Sequence, residues 1–146
     1  MADQVSMPAP PPESASSLLQ VAQQCFSAVE KLQEHPNMHM LIPTGILAAH
    51  GVEATLKCHL MQHRAAPSQV RSFGHDLLKA WAAAVAAGPP IEGDAPAWLV
   101  SLNWGHAKLT YRYPPHQHGI GVPRLEDFMP WWADVLRALQ RVSWSP

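Results

Sequence analysis

The stretch Thr44 to Arg64, TGILAAHGVEATLKCHLMQHR, constrains the fold more than any other part of the chain. Ile46, Leu47, Ala49, Val52, Leu56 and Leu60 recur along it among several alanines, and no proline interrupts its interior. Such spacing matches a helix of 3.6 residues per turn and not a strand of period two. Apolar or alanine positions flank nearly every polar one, so the segment is predicted to be the central and most buried helix.

Other segments have to pack around it, and most carry the same period. In Ser14–His35, Leu18, Val21, Ala22, Cys25, Val29 and Leu32 form one amphipathic face that stops before Pro36. HDLLKAWAAAVAAG presents Leu77, Leu78, Trp81 and Val85 before Gly88 and the Pro89-Pro90 stop. DAPAWLVSLNWGHAKL is predicted as a fourth helix, with Asp94 as N-cap, Pro96 in the first turn and Trp98, Leu102 and Leu109 on one face. The last, PRLEDFMPWWADVLRALQRV, carries Leu125, Phe128, Trp132, Val135, Leu136, Leu139 and Val142, with Pro130 expected to kink or restart it. AAPSQVRSFG and TYRYPPHQHGIGVP read as loops. Five helices and no alternating strand pattern predict an all-α, up-and-down helical bundle. Residues 14–146 are expected to form one domain behind a flexible, disordered proline-rich tail over residues 1–13.

Charge excludes a bulk polyanion binder: the formal net charge of the 146 residues is -1 with the nine histidines neutral, so only a local patch could hold RNA. Cys25 and Cys58 fall in predicted helices, with no CxxC and no secretory leader, and are expected to be buried free thiols of a cytoplasmic protein. The longest apolar runs, such as Ala82 to Ala87, are far shorter than the ~18 residues a membrane span needs.

Three groups of polar residues lack an obvious structural purpose. His50, Glu53 and Lys57 stand three and then four apart on the central helix, with Glu before Lys in the favourable ion-pair order; they form either a solvated stripe or a polar seam in the bundle. In FGHD, Gly74 suits a tight turn and Asp76 can cap the following helix. His75 is left over, an imidazole at a helix N-terminus that can hydrogen-bond or act as a base. In TYRYPPHQH, Tyr111, Arg112, Tyr113, His116 and His118 set a cation among aromatics, suited to phosphate and base contacts or to anchoring the loop. His59 and His63 in HLMQH are one helical turn apart but lack the glutamate of HExxH, so no metal or other cofactor is expected. No GxSxG and no glycine-rich phosphate loop occurs.

The order HGVEATLKCHL, FGHDLLKAW and LNWGHAKLTYRYP resembles the HEPN superfamily, small helical nucleotide-binding domains, over roughly Ala15 to Pro114. The resemblance implies a helical bundle, commonly a homodimer. Many members are metal-independent ribonucleases of toxin-antitoxin or phage-defence systems; others bind nucleotide, RNA or a protein partner without catalysis. In the nucleases an arginine and a histidine four to six residues further on stabilise charge and move the proton. Arg112 and His118 have five residues between them, but Pro114 and Pro115 intervene; Arg71 and His75 have only three.

The resemblance and the residues together predict a polar cluster of His50, Glu53, Lys57, Gly74, His75, Asp76, Tyr111, Arg112 and Tyr113 near one end of the bundle. RNA, a nucleotide or a protein partner would bind there without robust catalysis. The alternative is endoribonuclease activity, with His75 or His118 as base and Arg112 as charge stabiliser.

Overall fold

A computed structural model describes residues 14–35, 40–107 and 121–142. They form six helices, α1 (Ala15–Gln33), α2 (Leu41–Gln62), α3 (Pro67–Ser72), α4 (Leu77–Ala87), α5 (Ala97–Ala107) and α6 (Leu125–Gln140), with no strand among the described residues. The predicted all-α bundle is therefore the fold. The predicted proline-rich tail and the segment 108–120, with Leu109, Tyr111, Arg112, Tyr113, His116 and His118, lie outside the described residues. Among those that are described, no helix is long and apolar enough to cross a membrane.

The central position of α2 follows from its composition. Every residue from Gly51 to Leu60 is buried, and α1, α3, α4, α5 and α6 all pack on this helix. Full burial of Val52, Leu56 and Leu60 contributes about 1.5–3 kcal/mol each. Close approach requires Gly51: a Cβ there would stand 2.6 Å from the Cβ of Cys25 and closer still to the ring of Trp132. Trp132 itself donates from Nε1 to Thr55 Oγ1 at 2.8 Å, and that hydroxyl donates to Gly51 O at 2.8 Å. Both polar groups thus enter the core already paired. A second aromatic group, Trp81, Trp98, Phe128 and Trp131, joins α4, α5 and α6, with ring centroids 5.0–6.4 Å apart.

Several boundaries differ from expectation. α2 begins at Leu41 rather than Thr44, because Pro43 falls in its first turn, where an N–H has no intrahelical acceptor to lose. Part of the predicted AAPSQVRSFG loop is α3, with Pro67 in its first turn. The predicted cap Asp94 stands outside α5; the Pro96 carbonyl accepts from Leu99 and Val100 at 3.0 and 3.2 Å and so begins the helix. α6 runs through Pro130 without restarting, and Pro130 is exposed.

Candidate functional site

Glu53 lies on the wholly buried stretch of α2, and only 7% of the residue is exposed. An unpaired carboxylate there would be costly, yet each oxygen is engaged. Lys57, one turn on, donates from Nζ to Oε1 at 2.6 Å. His106, on α5, donates from Nε2 to Oε2 at 2.5 Å, and His75 donates from Nδ1 to the same oxygen at 3.1 Å. The two imidazoles meet edge to face, centroids 5.0 Å apart. His50, Glu53 and Lys57 are therefore no solvated stripe: the Glu and Lys form the seam, while His50 at its end is exposed.

The turn before α4 closes the cluster, and each residue of Gly-His-Asp has a separate task. Gly74 sits at φ +54°, the left-handed region that favours glycine. In that turn its carbonyl accepts from Lys57 Nζ at 3.0 Å. His75 follows and reaches Glu53, with about half its side chain exposed (48%). Asp76 then caps α4, its Oδ1 accepting from the N–H groups of Leu78 and Lys79 at 3.1 and 3.2 Å. A third first-turn donor, Leu77 N–H, is met by Asn103 Oδ1 of α5 at 2.7 Å. Asn103 and His106, three apart on α5, thus fasten that helix to the start of α4 and to Glu53 together.

These contacts set the electrostatics of the site. Burial pushes the Glu53 carboxyl up, but the hydrogen bonds from His106, Lys57 and His75 outweigh it and bring its pKa down to about 2. Glu53 is then an anion at any physiological pH and a weak base, unsuited to taking a proton. His75 differs. With Nδ1 donating to Glu53, the neutral ring carries its lone pair on Nε2, and this is the cluster's exposed imidazole. On the α1 side, a cavity of about 130 Å³ lined by Leu18, Val21, His50, Glu53, Ala54 and Lys57 reaches the same ion pair.

The structure brings together four of the sequence candidates, Glu53, Lys57, Gly74 and His75. His50 lines the neighbouring cavity, and Asp76 bonds to backbone and not to the Glu53 network. The expected proximity of Arg112 to His75, and the places of Tyr111, Tyr113 and His118, fall outside the described residues. The sequence reading missed His106 and Asn103. Their available signal was an Asn-x-x-His pair, three apart, on the otherwise apolar helix AWLVSLNWGHA.

His59 and His63, ring centroids 4.3 Å apart, each spend one ring nitrogen on a backbone carbonyl. His59 Nε2 donates to Ala84 O at 3.2 Å inside the core, and His63 Nδ1 donates to the His59 carbonyl at 2.9 Å. Burial, together with nearby His63, lowers the His59 pKa.

Compared with family models, curated proteins and solved structures, the chain has no match among any of the three.

Proposed function

We propose that this chain is a HEPN-like helical module that binds RNA or a nucleotide on the face where His75 reaches the surface, without robust catalysis. The carrying observation is the saturation of Glu53: three donors occupy its two oxygens, so the most buried acid of the site is spent on holding α2, α4 and α5 together. What remains outward is the half-exposed imidazole of His75, a side chain suited to a phosphate oxygen. The sequence then runs from His106 through Lys108, Tyr111, Arg112 and Tyr113 within eight residues, the mixture of cations and aromatic faces that single-stranded RNA uses.

A second reading, a metal-independent endoribonuclease, draws on one feature: a carboxylate that fixes the tautomer of an exposed imidazole resembles the orienting half of a catalytic base. One experiment tests both. Labelled single-stranded RNA of mixed sequence is titrated with protein in excess EDTA, binding is read by anisotropy and integrity on a gel. Saturable binding without cleavage, weakened about tenfold by His75→Ala and by Arg112→Ala, supports the module. Cleavage lost in those folded variants supports the nuclease, and absence of both binding and cleavage overturns the RNA reading.

A further inference from the structure

The donors around Glu53 also have the composition of a metal site. Glu53, His75 and His106 come from α2, the turn before α4, and α5, yet one ligand atom of each lies within 4.8 Å of the other two. One carboxylate and two imidazoles are the protein ligands of many open zinc sites, in which a fourth position takes water or a substrate oxygen. Ligand atoms of a tetrahedral zinc stand about 3.3 Å apart, given bonds of about 2.0–2.1 Å. Glu53 Oε2 and His75 Nδ1 are 3.1 Å apart, close to that value. Glu53 Oε2 and His106 Nε2, at 2.5 Å, would have to separate by about 0.8 Å.

We infer that Glu53 Oε2, His75 Nδ1 and His106 Nε2 form a three-ligand site for a divalent first-row transition ion, best matched by zinc, with its fourth position open beside His75. The burial pattern suits this. Glu53 and His106 are fixed in the interior, whereas half-exposed His75 gives an entry path. Lys57 holds only Oε1, at 2.6 Å, and so leaves Oε2 to the two imidazoles. Each imidazole now donates a proton from the nitrogen that would bind the ion. Ligation moves that proton to the ring's other nitrogen, so both rings remain neutral. The imidazoles select transition ions over magnesium or calcium, which take all-oxygen sets.

Lys57 opposes the ion, because its ammonium is a like charge bound to the same carboxylate. That opposition gives the inference a signature which the surface histidines cannot imitate. The inference shares the cluster with the proposed RNA site but needs no RNA, and the RNA assay in EDTA needs no metal, so each can fail alone.

The test uses the full chain, stripped with chelator and titrated with zinc chloride alone against a chromophoric competitor. One ion per chain is expected, with a dissociation constant in the micromolar range or below. His75→Ala and His106→Ala should each weaken it at least tenfold, and Lys57→Met should tighten it. Cobalt at the same site should give the intense visible absorption of tetrahedral coordination. Because His106 is buried and its variant can lose the fold, half-exposed His75→Ala, with folding checked by circular dichroism, is the deciding variant. No saturable zinc binding, or binding unchanged in His75→Ala, overturns the inference.

Discussion

Replacing Glu53 by Gln tests whether the cluster is the strut that the hydrogen bonds imply. The folded carboxyl has a pKa of about 2 against an ordinary value of 4.5, a difference worth about 3 kcal/mol at neutral pH. A folded pKa below the unfolded one stabilises the native state above pH 4.5, and that stability drains away as pH falls toward 2. By pH 3 about 2 kcal/mol of it is gone. The amide keeps the shape but removes the charge, and it leaves the buried Lys57 ammonium, 8% exposed, without its counter-ion. Breaking one side of such a pair costs about 3–5 kcal/mol. Urea unfolding followed by tryptophan fluorescence, on wild type and Glu53→Gln from pH 7 to pH 3, measures the difference. It should be about 3–5 kcal/mol at pH 7 and shrink by about 2 kcal/mol by pH 3, because only the wild type loses a charge there. A difference independent of pH would show that the carboxylate's charge does not hold the cluster, and the argument from saturation would fall with it.

Substitutions at two glycines separate backbone from packing. Gly74→Ala meets no atom within 4 Å of the new Cβ, so its loss comes from the left-handed backbone alone, about 1–2 kcal/mol in urea unfolding, and Gly74→Asn should lose less. Gly51→Ala should gain about 1 kcal/mol of helix propensity but forces α2 off Cys25 and Trp132; overpacking of about 1–3 kcal/mol is expected to win, with a net fall in melting temperature, and a rise would refute the close approach.

The fold was legible because its decisive information is local and periodic. Apolar spacing identified α1, α2, α4, α5 and α6, and Asp76 was readable as a cap since a cap acts on N–H groups two and three residues away. The misreadings were also local, and they arose where two adjacent signals competed. Pro43 and Pro67 read as breaks although proline is as welcome in a first turn as outside a helix. Asp94 read as a cap because the side chain is right, while the helix starts three residues on.

The site was half legible for a different reason. Glu53 and Lys57 share a helix turn, so their pairing is written in their spacing. His106 is 53 residues from Glu53, and no spacing rule relates them. Only the packing of α5 against α2 and α4 brings them together, and the apolar surroundings of His106 argued for a core residue as much as for a ligand. Both arguments hold: it is 6% exposed and it is the shortest contact of Glu53. A buried imidazole requires a partner, and α2 has one buried acid to offer. Thus Asn103 and His106, read as a pair that must both be satisfied, point to the N-terminus of α4 and to Glu53 at once. The Gly-His-Asp turn is where these demands meet: its glycine carbonyl holds Lys57, its histidine holds Glu53, and its aspartate begins the helix that Asn103 completes. Removing His75 frees an acceptor on α2, whereas removing Asp76 frees two N–H donors at the start of α4 itself, so a change at this turn should be felt on α2 or on α4 according to which residue is changed.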